Sequence, residues 1–348
     1  MRFLFVPYPA FGHISPLLPV VGELAARGAR VRVVADHRYS TVLAAAGAEV
    51  LVLPVAADVF FPARVGGAGT VRYLRGRVRK RVVGWHAARL VAAESAVDRG
   101  ELVVVDPMMA AVDRFVLRAG IRSALFSTTY LRRGIPGGDR VVLVNSIAAL
   151  QPAPMPRAGH VHFVGPLIRQ ERGGGLSRFG LPTHKRVLLV SPGTVFARAP
   201  GYFREVAWAF AGSSWWVVVA TGAVDPATLG SLPSNVVAVR RVPQVEVLAH
   251  CAVFVTHGGM NSALEALTLG VPMVVSPRAG DQHHIARRLV EWGVAAYLPT
   301  SGSAIRRSVE RMASDPRVRA AADRWRARLS GGRSVAEAAD LLLAQAGG

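Results

Sequence analysis

Cysteine is almost missing from this chain: Cys251 is the single one among 348 residues. That excludes an internal disulfide and any cysteine-rich metal site, as expected for a reducing cytosol. Long apolar runs are missing too. Although 51% of the residues are hydrophobic, no run reaches the roughly 18 residues that a membrane span requires. The opening MRFLFVPYPAFG carries one basic residue and no small-residue cleavage site, so it reads as a first strand rather than a signal peptide. These absences predict a soluble, cytoplasmic protein. Aromatic residues are modest at 7% and do not alternate with basic ones. Neither zinc-finger nor helix-turn-helix spacing occurs, so nucleic acid is not an expected partner. No Asp-x-Asp motif is present to hold a divalent cation on phosphates.

Acidic side chains are scarce. The 22 Asp and Glu face 42 Lys and Arg, a net charge of +20, with arginine greatly outnumbering lysine. That balance fits a solvated basic surface, an anionic small substrate, or a loose contact with anionic lipid headgroups. The densest basic cluster falls within residues 73–81, with RGRVRKR inside it.

What is present is a cadence of short apolar runs alternating with amphipathic stretches, the pattern of parallel sheets with helices on both faces. Strands are expected at residues 2–7, 31–35, 49–53, 102–105, 123–126 and 141–145. After a polar, glycine-rich connector at 168–175 (IRQERGGG) they resume at 187–191, 215–220, 236–239, 253–256 and 273–276. At this length two domains are the natural division: residues 1–168, a linker over 169–182, and 183–348, each a doubly wound α/β unit. Ser15-Pro16 offers a helix start ahead of apolar helical spacing over 17–27, and the Ala- and Arg-rich stretch 318–345 reads as helical.

In open α/β sheets, ligands bind beyond the carboxyl ends of the strands. His13 falls in the first such turn, at a helix N-terminus whose dipole disfavours the imidazolium and leaves a nitrogen able to accept a proton. It is a general base by position, or a histidine that bonds backbone at a helix start. Asp106 follows the strand at 102–105, on the same sheet edge. It would hold the imidazole in one tautomer, cap a helix through Asp106-Pro107, or do both.

The second half holds the specific signal: Val242-Pro243-Gln244, then FVTHGGMNSALEALTLGVPMVVSP, then Asp281-Gln282. This stretch, with the Gly12-His13-x-x-Pro16 opening, resembles the macrolide and plant secondary-product glycosyltransferases, relatives of animal glucuronosyltransferases, over nearly the whole chain. The resemblance implies a GT-B fold, two Rossmann-like domains facing a central cleft, with the last helix packing back on the N-terminal domain. It implies a metal-independent, inverting transfer of a sugar from a UDP- or TDP-sugar to a hydroxyl of a small lipophilic acceptor, with His13 as base and Asp106 as its partner. No cofactor is expected, and the assembly is a monomer or homodimer. By the same resemblance, Thr194, His257, Gly258, Gly259, Asn261 and Ser262 bind the diphosphate. Glu265 takes the ribose hydroxyls, Val242 and Gln244 frame base and ribose, and Asp281 with Gln282 grips the sugar. Physics agrees with the central part, since glycines at a helix N-terminus suit close approach to phosphate.

There are departures as well. Arg241 stands where plant members carry a stacking tryptophan, Ile285 replaces an asparagine, and the segment between Tyr130 and Arg140 is short where relatives wall the acceptor pocket. Two alternatives stay open: a lipid-sugar transferase of the peptidoglycan type, and a non-catalytic nucleotide-sugar-binding relative.

Overall fold

The structure, a computed structural model, describes residues 1–54, 81–94, 100–131, 140–152, 160–169, 179–182, 184, 186–193, 198–278, 280–330 and 335–347. Thr194, the arginine-rich run at 73–80, most of the segment between Tyr130 and Arg140, and most of the connector lie outside them. Contacts divide the chain into two compact units, Met1–Arg169 with Arg333–Gly348, and Gln170–Gly332.

The first unit is built on a parallel sheet of seven strands. In chain order they are β1 (Arg2–Val6), β2 (Arg30–Ala35), β3 (Glu49–Val52), β4 (Leu102–Val105), β5 (Ser123–Ser127), β6 (Val142–Val144) and β7 (Val161–Phe163). In space the order is β3-β2-β1-β4-β5-β6-β7, which reverses direction beside β1. Both faces are covered, as an all-parallel sheet requires. Phe3 and Phe5 point into one core and Leu4 and Val6 into the other, so the apolar run of β1 supplies two cores with its period of two.

Helices α1 (Phe11–Ile14), α2 (Leu18–Ala26), α3 (Ser40–Ala45), α4 (residues 81–94) and α5 (Ala110–Arg118) flank this sheet. On the 17–24 stretch, Leu17, Val20, Val21 and Leu24 recur at i, i+3, i+4 and i+7, and all four are buried. Ser15-Pro16 does not start that helix. Helical backbone begins at Phe11, where the amides of His13 and Ile14 bond the Ala10 carbonyl, and Ser15 itself is helical. The missing N–H of Pro16 is absorbed at a short 3-10 turn, Ser15–Leu17, that joins α1 to α2.

The second unit has strands β8 (Arg186–Ser191), β9 (Trp215–Ala220), β10 (Val236–Val239), β11 (Cys251–Thr256), β12 (Met273–Val275) and β13 (Ala295–Tyr297). They form a parallel sheet in the order β10-β9-β8-β11-β12-β13. Its helices are α6 (Pro200–Ala209), α7 (Gln244–Leu248), α8 (Met260–Leu269), α9 (Gln282–Glu291), α10 (Gly302–Ser314) and α11 (Pro316–Ser330). Phe179, inside the stretch read as a connector, is fully buried here, and its carbonyl accepts a hydrogen bond from Trp216 Nε1 at 2.8 Å. Ile285, where relatives carry asparagine, is also fully buried; α9 turns that position into its core.

The stretch 318–345 is helical, divided between the rest of α11 and a further helix. After α11 comes α12 (Val335–Gly347), which packs on α2 through Ala338, Ala339 and Leu342 and belongs to the first unit. An Arg27–Asp340 ion pair and a 2.6 Å bond from Arg122 Nη1 to the Ala346 carbonyl fix it there. No helix among the described residues is long and apolar enough to cross a membrane.

Candidate active site

In the first unit the carboxyl ends of β1, β4 and β5, neighbours in the sheet, bring together His13, Asp106 and Thr128. His13 Nδ1 lies 2.6 Å from Asp106 Oδ2. A carboxylate in its ordinary ionised state only accepts, so Nδ1 carries the proton and donates it. Thr128 Oγ1 flanks the same nitrogen at 2.8 Å. Among the described residues nothing hydrogen-bonds Nε2, and the imidazole keeps 12% of its surface exposed. The arrangement therefore presents an unprotonated nitrogen outward and fixes its tautomer from behind.

Asp106 does not cap α5, whose N-cap is Met109 and has no side-chain cap bond. Its second oxygen, Oδ1, accepts from the Met108 amide at 2.8 Å, closing the turn that leads to α5. Tyr8 packs 5.1 Å from the imidazole, ring centroid to centroid. Burial first and the Asp106 charge second push its pKa up to about 12, so it remains a neutral phenol.

In the second unit the ends of β8, β11 and β12, again sheet neighbours, carry Gly193, His257 and Ser276. A Cβ on Gly193 would fall 2.5 Å from His257 Cε1, and one on Gly259 would also overlap the ring. Gly193 has φ of +82° as well, a backbone that side chains resist. Glycine at both positions is thus what lets the imidazole lie flat against the chain. Burial, then the positive charge of Arg198, lowers the His257 pKa to about 4, which keeps the ring neutral.

Gly259 precedes α8, whose first residues are Met260, Asn261 and Ser262, so the positive end of that helix dipole lies beside His257. Gly258 turns the chain with φ of +74°. One helical turn along, Glu265 Oε2 accepts from Gln244 Nε2 at 2.6 Å, and the same nitrogen lies 3.2 Å from Ser262 Oγ. Gln244 thus sets the rotamer of Glu265. Val242 precedes it, partly buried, while Arg241 is exposed. At the start of α9, Gln282 is buried and its Oε1 accepts from the Arg278 amide at 2.8 Å, closing the turn ahead of the helix. Asp281 beside it is more exposed. Among the described residues, no group of three or more His, Cys, Asp or Glu lies together as a metal site would need.

Sequence reasoning missed Thr128 and Arg198. Thr128 directly follows β5, the strand that the sheet order sets beside β4, a neighbour relation that spacing does not reveal. Arg198 is one arginine among many, and only its surroundings distinguish it.

Residues 214–344 match the C-terminal domain of the erythromycin biosynthesis protein CIII-like family. The NDP-glycosyltransferase YjiC of Bacillus subtilis (strain 168) is 37% identical over 157 residues, 44% of this chain and 40% of that protein. The chain spans about two fifths of the length of the first curated relatives that it matches, 40% and 41%. Demethyllactenocin mycarosyltransferase of Streptomyces fradiae is 29% identical across 97% of this chain and 85% of that one. Among solved structures, the calicheamicin glycosyltransferase CalG4 matches with a TM-score of 0.82 at 27% identity, covering 99% of this chain and 98% of that chain. A family domain in the second unit and a match along the whole of a solved relative agree: the chain is similar to the bacterial natural-product glycosyltransferases and shares their GT-B fold.

Proposed function

We propose that this chain transfers a sugar from a UDP- or TDP-sugar to a hydroxyl of a small lipophilic acceptor, with inversion and without a metal. The observation that carries the reading is the His13–Asp106 bond of 2.6 Å, which leaves Nε2 as the proton acceptor at the sheet's carboxyl edge. In this mechanism Nε2 removes the acceptor hydroxyl proton as its oxygen attacks the anomeric carbon from the side opposite the diphosphate. Asp106 stabilises the imidazolium that forms.

The leaving diphosphate lies at the start of α8, where Asn261, Ser262 and the helix dipole meet its charge and the neutral His257 donates one N–H. Thr194 completes this set. A fixed donor at such a position is worth on the order of a hundredfold in rate. Glu265 takes the ribose diol, Gln244 and Val242 the base side, and Asp281 with Gln282 the sugar hydroxyls.

A panel of UDP- and TDP-sugars, offered to the full chain with aliphatic alcohols and phenols, tests the reading. Release of UDP or TDP together with a product of inverted anomeric configuration is expected. Absence of nucleotide binding by calorimetry together with absence of release from every donor would overturn it, and retention of configuration would overturn the mechanism.

A further inference from the structure

Arg198, in the second unit, carries a charge that no carboxylate among the described residues balances. Arg198 Nη2 donates to the Ser276 carbonyl at 2.9 Å and to Ser276 Oγ at 2.6 Å. The guanidinium carbon stands 4.5 Å from the Tyr202 ring centroid. Its Nε is buried with no hydrogen-bond partner, and among the described residues no carboxylate pairs with it. The groups that bear on its charge are Tyr202, a phenol that burial keeps neutral, and Arg278, a second cation.

Even a partly buried cation without a counter-ion is costly, and proteins normally pair it. Here the guanidinium is pinned by Ser276 on one edge and by a ring on its face, with Nη1 left to donate. Ser276, which holds the guanidinium, donates its own amide to the Thr256 carbonyl at 2.8 Å, one residue before His257. The missing counter-ion thus belongs beside His257, at the end of β12 and ahead of the Asp281-Gln282 pair.

We propose that Arg198 is a diphosphate-binding residue, whose guanidinium supplies beside His257 the fixed positive charge that meets the leaving group. This deepens the nucleotide reading given above and rests on it. The guanidinium suits a phosphate by geometry as well as by charge, since its parallel N–H donors match two oxygens. Because the anion arrives with the substrate, the free protein carries an uncompensated charge that the bound form does not.

That asymmetry separates a binding role from a structural one. In the full chain, Arg198→Met is expected to weaken TDP and UDP binding by roughly tenfold or more, with TMP and UMP affected much less. Its melting temperature without ligand should be unchanged or raised. Arg198→Lys, which keeps the charge, should retain most of the preference for diphosphate over monophosphate. A variant that binds TDP and UDP as tightly as the wild type overturns the inference while leaving the nucleotide site in place. A variant that melts lower or fails to fold makes Arg198 a structural tether of Ser276 and overturns it too. Wild-type protein that binds neither diphosphate removes the nucleotide reading itself, a separate failure visible before any variant is made.

Discussion

His13 and His257 are both imidazoles at strand ends, yet their surroundings ask different things of them. Asp106 holds a proton on one nitrogen of His13, and removing the base should cost transfer to an aliphatic alcohol on the order of a hundred to ten thousand fold. His13→Ala is expected to do this with donor affinity nearly unchanged, and added imidazole should restore part of the rate. Asp106→Asn should be milder. An aliphatic acceptor is needed because a phenol of low pKa partly bypasses the base. Near wild-type turnover by His13→Ala would leave the histidine a structural role only. His257, by contrast, has a folded pKa near 4, below the ordinary 6.5. An unfolded chain therefore binds a proton there between those values that the folded chain does not. Stability is full above pH 6.5 and falls as pH drops toward 4, by up to roughly 3 kcal/mol from this group. Urea midpoints at pH 7 and pH 4.5 should differ more in the wild type than in His257→Gln; equal differences would contradict the assignment. At Gly193, alanine meets both the ring of His257 and a left-handed backbone, which alone costs about 1–2 kcal/mol. Gly193→Ala is expected to lower the melting temperature and diphosphate affinity together.

At the scale of elements, the central strands were legible because parallel strands buried on both faces must be continuously apolar, as β1, β4, β9 and β11 are. Strands β7 and β13 were not legible. Each is three residues long, at a sheet edge, and partly exposed, too short for any period to show. The site was legible where backbone chemistry restricts residue choice, as at Gly258, Gly259 and the start of α8, and hidden where tertiary neighbours decide, as at Thr128 and Arg198. The division of the last helical stretch escaped notice for the same reason: α12 is specified by the α2 surface that it covers. Leu342, fully buried in that contact, should cost about 2–5 kcal/mol when changed to alanine, measured as a shift in urea midpoint. Arg32 offers a second check. It is buried on β2 and paired to both oxygens of Glu101, at 3.0 and 2.6 Å, and to Glu94. Glu101→Ala should destabilise by about 3–5 kcal/mol, because it strips a bidentate partner from a buried charge; a loss below about 1 kcal/mol would mean the guanidinium escapes to water.

For the whole molecule, a net charge of +20 creates a field that attracts an anionic donor from solution. In the proposed mechanism Arg198 and the positive end of α8 focus that attraction locally, and the neutral His257 adds one N–H donor. With the leaving group met by these fixed charges, turnover is expected to persist in excess chelator; loss restored by magnesium or manganese would contradict the proposed mechanism. The chain's path between its units carries a different consequence. The first unit takes residues from both ends of the sequence, since α12 covers α2 after the entire second unit has intervened. On the ribosome, the part of α2 that α12 covers therefore waits for that cover through the synthesis of everything up to Val335. During that interval the second unit has all of its strands and is free to fold, while the first presents an apolar face to chaperones. A ribosome stalled before residue 335 would release a chain whose second unit is intact and whose first unit is sticky, and quality control would meet it as an aggregation hazard rather than as a soluble fragment.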